Sequence, residues 1–248
     1  MGFDGISEKE FTLYLEEVFK ENGLSELLSS AVSEKFYRLT EIMLCENEKY
    51  NLTAITEPKK IILNHYADCA VLAKRLTSGS SVCDIGCGAG FPTLPIAILR
   101  PDVRILGVDA TAKRTAYVEM AARELSLGNA SVMTARAEEL GRSPEWRERF
   151  DTVTARAVAN MRILNELCLP LCRVGGSFIA MKGKNAEAEL AEAMGGIPKL
   201  GGRLEAIENI TLRSSDEELS HPLIVIKKIS VCPQAYPRLY AKMLKKPL

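Results

Sequence analysis

Aromatic residues make up only 6% of the 248-residue chain, and tryptophan occurs once. Histidine occurs twice, as His65 and His221. The chain has no uncharged apolar run near the 18 or so residues that a membrane span needs. The N-terminal stretch MGFDGISEKEF puts acid before base and has no apolar h-region, so we expect no signal peptide. Net charge is absent as well: 32 basic residues offset 32 acidic ones. Without a global basic field, a nucleic-acid partner would have to be held by a local patch. No internal repeat and no low-complexity tract is present. Disordered, collagenous and coiled-coil classes are excluded by composition.

Cysteine is present in odd number, seven in all. That count, with no secretion signal, points to a reducing cytoplasm. Cys83 and Cys87, and Cys168 and Cys172, have C-x3-C spacing, which differs from the C-x2-C repeats of structural zinc sites. We expect no metal.

Residues 7–76 have helical spacing. Ser7 and Glu10 form a capping-box pair ahead of Phe11, Leu15, Val18 and Phe19. A second helix is predicted from about Ser25 to Glu46 and a third opens at Pro58. After Ser78-Gly79-Ser80 the period changes. Strands are predicted at Ser81–Ile85, Val103–Asp109, Ala130–Thr134, Phe150–Ala155, Gly176–Lys182, Gly202–Leu212 and Pro222–Ser230. Helices fit between the first six, which predicts a parallel sheet with right-handed crossovers. One of these helices is predicted over Leu164–Cys172. The last two strands are expected to pair as a hairpin. A mostly parallel seven-stranded sheet with an antiparallel last strand is the α/β, Rossmann-like layout of class I S-adenosylmethionine (SAM)-dependent methyltransferases. The expected organisation is a helical extension over 1–76, a SAM-binding domain over 77–231 and a basic tail over 232–248.

The segment Asp84-Ile85-Gly86-Cys87-Gly88-Ala89-Gly90-Phe91-Pro92 leaves a strand and enters a helix. Ligands of open α/β sheets bind beyond the carboxyl ends of such strands. Phe91 occupies the third glycine position of the dinucleotide fingerprint, and no P-loop lysine follows. Asp109 ends the second strand 25 residues after Asp84, followed by Ala110 and Thr111. A carboxylate there can accept hydrogen bonds from both ribose hydroxyls; the alternative is a helix cap. Ala137 and Glu138 follow the third strand, where they could cover the adenine. Arg156 follows the fourth, beside the position of a transferable methyl group. The loop after that strand, Ala155-Arg156-Ala157-Val158, lacks the Asn/Asp-Pro-Pro-aromatic of exocyclic-amine methyltransferases. Cys168 and Cys172 are expected in the core, which leaves no evident thiolate for pyrimidine C5 chemistry. An acceptor that needs neither deprotonation nor covalent activation fits, and guanine N7 is one.

Taken together, these residues resemble the glucose-inhibited division protein B (RsmG) family of bacterial 16S ribosomal RNA guanine-N7 methyltransferases. The resemblance rests on Tyr50-Asn51-Leu52-Thr53, His65-Tyr66-Ala67-Asp68, the glycine segment, Lys113-Arg114, Ala137-Glu138, Arg156-Ala157, Lys182-Gly183 and the ending Tyr236-Pro237-Arg238 … Lys245-Lys246-Pro247-Leu248. It implies a cytoplasmic monomer that methylates the 530 loop of 16S rRNA, free or in the 30S subunit. It also implies cofactor contacts from Asp84, Gly86, Gly88, Gly90, Phe91, Asp109, Ala110, Thr111, Ala137, Glu138 and Arg156. His65 and Asp68 would join Arg156 in the catalytic pocket. Lys113, Arg114, Lys182, Arg238, Lys245 and Lys246 would meet RNA. The chain departs from the family at Asp68-Cys69, where a serine is common. It departs again at Arg238-Leu239-Tyr240-Ala241-Lys242, where relatives have a Gly-Thr-Pro stretch.

Other readings remain open on the residues alone. His65 could be a core histidine, Lys113 and Arg114 could bridge to Glu119 or Glu138, and the tail could be merely solvated. A small-molecule or protein acceptor, a nicotinamide-dependent oxidoreductase and a non-catalytic RNA-binding module are the competing functions.

Overall fold

The computed structural model describes residues 6–183 and 185–248. Seven strands form one sheet in the order β3-β2-β1-β4-β5-β7-β6. They are β1 (Ser81–Ile85), β2 (Arg104–Asp109), β3 (Ala130–Thr134), β4 (Phe150–Arg156), β5 (Cys172–Met181), β6 (Gly202–Arg213) and β7 (Glu218–Lys228). β1 to β5 run parallel, β7 runs antiparallel to β5, and β6 pairs antiparallel with β7. The order reverses at β1 between β2 and β4, so the crevice beyond the carboxyl end of β1 is the switch point where open sheets bind ligands.

The N-terminal helices are α1 (Glu8–Glu21), α2 (Ser30–Tyr50), α3 (Pro58–Ile61) and α4 (Asp68–Ala73). The predicted capping box is present: Glu10 N–H donates to Ser7 Oγ, and Ser7 N–H donates to Glu10 Oε2. α2 begins five residues later than predicted. Ser25–Leu27 forms only a 3-10 turn, Leu28 is extended, and Ser29 caps the helix by accepting from Val32 N–H. Between α3 and α4 the backbone widens into a π-helical segment, Ile62–Ala67, which carries His65. Such segments are frequent at functional sites. Next to His65, Tyr66 is fully buried, stacks on Phe36 and bonds Thr40, so the segment is pinned in place. Asn22, just past α1, exchanges two hydrogen bonds with the backbone of Arg213 at the end of β6.

The crossover helices are α5 (Thr93–Leu99), α6 (Ala112–Glu124), α7 (Ala137–Leu140), α8 (Met161–Cys168) and α9 (Ala186–Ala193); α10 (Tyr240–Lys245) lies in the tail. One apolar cluster joins α1, α2 and α4–α6 to one face of the sheet, and a second joins α8 and α9 to the other. The predicted helix over Leu164–Cys172 is corrected. α8 stops at Cys168, just before Pro170, which cannot continue a helix, and Cys172 opens β5. Both thiols are fully buried. β5 also starts four residues earlier than predicted, because 172–175 is apolar or glycine only in part and hides its period.

Candidate active site

The glycine segment turns sharply after β1. Gly86, Gly88 and Gly90 all have positive φ, a region closed to most side chains. At Gly86 a Cβ would also collide with Val158 Cγ2, so this position accepts only glycine. Asp84, the last acid of β1, is fully buried. Its Oδ2 accepts a 2.6 Å hydrogen bond from Thr93 Oγ1 at the start of α5. Gly107 on the neighbouring strand makes room for that threonine, since a Cβ there would sit 2.9 Å from Thr93 Oγ1. Asp84 Oδ1 has no partner and is buried. Burial pushes the Asp84 carboxyl up to about 6.

A cavity of about 290 Å³ opens at the switch point. Of the predicted cofactor residues, Gly86, Asp109, Ala110, Ala137 and Glu138 line it. Asp109 ends β2 and is held rigidly. Gly88 N–H donates to its Oδ2 at 3.1 Å, and Thr111 N–H donates to its Oδ1 at 2.8 Å. Each oxygen keeps acceptor capacity for a hydroxyl. Thr111 thus reaches the cavity only through Asp109. Ala157 and Val158 line the cavity too, and Ala157 has a φ of 56°, strained for a non-glycine residue.

Sequence reasoning did not single out Tyr240 or Leu167 as cavity residues, yet both line it. Arg114, expected to face RNA, lines it as well. Its Nη1 lies 3.7 Å from Asp109 Oδ2, so its partner is neither Glu119 nor Glu138.

The second part of the site is a chain of polar side chains drawn from four elements. Arg156, the last residue of β4, donates from Nη1 to Asn64 O at 3.1 Å and to Asp68 Oδ2 at 3.2 Å. Its Nη2 lies 3.1 Å from His65 Nδ1. Nδ1 also sits 2.9 Å from Asn64 O. A guanidinium can only donate and a carbonyl can only accept. Nδ1 thus faces a donor and an acceptor at once: the Arg156 contact fits a bare Nδ1 and the Asn64 contact a protonated one. Burial, reinforced by the Arg156 charge, holds His65 down at about 3, so the ring is neutral. It stacks on Phe91 with centroids 4.3 Å apart, and the Arg156 guanidinium lies 5.5 Å from the same ring. Phe91 thus joins the glycine loop to this cluster.

His221 of β7 completes the chain, with Nε2 2.7 Å from Asp68 Oδ1. Sequence reasoning did not single out His221 as a site residue. Only the strand pairing β5–β7, which sets Met181 against Leu223, brings it to the same edge as Arg156.

The predicted RNA contacts divide. Lys113, Lys245 and Lys246 are exposed. Arg238 turns inward: its backbone N–H, Nε and Nη2 all bond the fully buried carboxylate of Glu166, and Nη1 bonds Lys246 O. A buried carboxylate requires such a partner. Lys182 also turns inward, to Ala159 O at 2.9 Å and Glu189 Oε2 at 2.6 Å. Among the described residues no group of three His, Cys, Asp or Glu side chains could hold a metal, and no helix is long and apolar enough to cross a membrane.

The residues fit a nucleoside-bearing sulfonium cofactor. Asp109 presents free lone pairs on the cavity wall, Gly86 lets the backbone approach closely, and the orphaned Asp84 Oδ1 offers an unused acceptor.

Comparison with solved structures supports the fold. A SAM-dependent methyltransferase from Methanosarcina mazei aligns with a TM-score of 0.50 at 15% identity, covering 64% of this chain and 97% of that one. A branched-chain polyamine synthase mutein from Thermus thermophilus reaches 0.54 at 16% identity, covering 77% and 64%. A fold shared between such different reactions does not settle the chemistry. Sequence comparison is more specific. A ribosomal RNA small subunit methyltransferase G from Geobacillus sp. (strain WCH70) is 42% identical over 229 residues, 92% of this chain and 94% of the relative. One from Clostridium perfringens (strain SM101 / Type A) is 41% identical over 217 residues, 87% and 90%. The GidB family model, described as rRNA small subunit methyltransferase G, matches residues 32–215. With that match across most of its length, the chain belongs to the GidB family of small-subunit rRNA methyltransferases.

Proposed function

We propose that this chain uses SAM to methylate N7 of a guanine in the 530 loop of 16S rRNA. Methylation of small-subunit rRNA goes with family membership; the atom and the loop are the finer reading. When bound, SAM supplies an electrophilic methyl group on a sulfonium. Asp109 would hold the ribose, Ala137 and Glu138 the adenine, and Gly86 and Asp84 the methionine end. Arg156 and Phe91 connect that end to His65 and Asp68.

The observation that carries the N7 reading is the state of the polar groups around Arg156. His65 is neutral with Nδ1 facing a guanidinium, and Asp68 is held by the Arg156 guanidinium on one oxygen and by His221 on the other. His65, held down at about 3, and Asp68, engaged on both oxygens, are poorly suited to deprotonate an amine or hydroxyl. The nearby thiols of Cys69 and Cys87 are pushed up by burial, so neither is a thiolate nucleophile. Guanine N7 offers an in-plane lone pair with no proton to lose. The chain then has only to orient the base for in-line attack, which can supply several kcal/mol of the barrier.

The test is transfer of labelled methyl from SAM to 16S rRNA and to 30S subunits lacking native modification. The product is mapped by cleavage chemistry selective for 7-methylguanine. One stoichiometric methyl in the 530 loop is expected. Label at another RNA atom would overturn the N7 reading, and no label in either substrate would shift the acceptor to another class.

A further inference from the structure

The C-terminal tail does not stand off the protein as a flexible basic arm. Arg238 is locked onto the buried carboxylate of Glu166 on α8. Met243 of α10 is fully buried in the cluster on that face of the sheet. Arg162 of α8 donates to the carbonyl of the final residue, Leu248, at 2.7 Å. Three anchors thus bracket residues 238–248. Tyr240, the first residue of α10, sits between the first two of them and lines the cavity that holds Asp109, Ala137 and Glu138.

Tyr240 is the one aromatic side chain among the described residues of that lining. The rest of the apolar wall is small or aliphatic. A purine presents two π faces, and a flat ring is the side chain that matches one of them; base–aromatic stacking is sequence-tolerant and strong. We infer that Tyr240 is a cofactor-binding residue of this chain, its ring packing on the adenine, so that the tail completes the cofactor site. This inference rests on the SAM reading proposed above. It reassigns part of a segment that its charge alone directs to RNA. Glu166 and Arg238 are then positioning residues that act through Tyr240.

The experiment is calorimetric binding of S-adenosylhomocysteine to the full-length protein and to Y240A, Y240L and Y240F, with thermal unfolding of each. Y240L keeps apolar bulk for the tail to pack on but has no π face. The expected result is a Kd raised about tenfold in Y240A and Y240L, toward the low end of the range for losing one stacked base, with Y240F within about twofold of the parent. If the parent binds and Y240L binds equally well, the inference is overturned while the SAM reading stands. Weakening in Y240A alone would also overturn it, since tail packing rather than stacking would then be the cause. If the parent itself does not bind, the SAM reading falls and takes the inference with it.

Discussion

His221 Nε2 lies 2.7 Å from Asp68 Oδ1, while Arg156 holds the other oxygen of the same carboxylate at 3.2 Å. One buried acid therefore joins β7, α4 and β4. Burial alone would push the His221 pKa down, but the hydrogen bond and charge of Asp68 outweigh it, and the net shift is upward. Arg156 opposes the shift from the other side, and neutral His65 adds no charge.

A pH dependence follows. A histidine whose folded pKa exceeds its unfolded value contributes stability that is complete below the unfolded value, about 6.5. The contribution is lost as pH rises through the folded value. The stability gap between the parent and H221Q should be widest below about pH 6.5 and should close at higher pH. Urea unfolding across pH 5.5–9 measures it. Parallel curves would show that His221 and Asp68 are not coupled as the geometry requires.

Asp84 also makes stability fall as pH rises, but as a growing penalty rather than a gain that is lost. Its folded pKa is raised to about 6 by burial, so ionisation is resisted in the folded state and not in the unfolded one. Stability therefore falls as pH rises from the unfolded value, near 4, through 6. Two pKa units correspond to roughly 2–3 kcal/mol at neutral pH. D84N keeps an acceptor for Thr93 and carries no charge. We expect it to be more stable than the parent at pH 8, equal to it near pH 4, and weaker in binding S-adenosylhomocysteine. Unfolding midpoints at the two pH values, with one calorimetric titration, test all three. A variant less stable at pH 8 would contradict the burial argument.

Much of this was legible in the chain. Strand–helix alternation gave the sheet, because a parallel strand buried on both faces is a short apolar run between helical periods. Gly86 and Asp109 were legible because a sharp turn after β1 demands glycine and an acid closes β2, and both line the cavity. His221 was not, because its role depends on a register between β5 and β7 that no local pattern encodes. The inward pairing of Arg238 and the place of Tyr240 on the cavity wall were not legible, because six bases after Pro222 dominate any reading of the tail by composition. The buried partner Glu166, which turns Arg238 inward, lies 72 residues away. Exposure and ion pairing decide what a charge does, and neither is written locally.

Arg238 is accordingly expected to act on stability rather than on RNA. Removing one partner of a buried pair leaves the other charge uncompensated and costs about 3–5 kcal/mol, whereas replacing both with apolar residues is often neutral. R238M should lose several kcal/mol in urea unfolding, and R238M/E166M should recover most of it. The salt dependence of rRNA binding should stay that of the parent in the double variant. A shallower salt slope there would return Arg238 to the RNA face.

Lys113 and Arg114 are neighbours in sequence with different expected duties. Both sit in the first turn of α6, at the positive end of its dipole, where a cation is unfavourable unless an anion is close. Arg114 has one, the Asp109 carboxylate 3.7 Å away on the cavity wall. Lys113 is exposed, and no ion pair is found for it among the described residues. A phosphate from RNA would supply its missing partner. K113Q should therefore weaken rRNA binding and reduce the slope of log K against log salt by about one, the signature of one lost phosphate contact. Its affinity for S-adenosylhomocysteine should not change. R114Q should alter that affinity, because it changes the field at Asp109. Filter binding over a salt series and calorimetry on both variants separate the two roles. Equal effects of the two variants on both ligands would mean that α6 meets RNA and cofactor as one undivided surface.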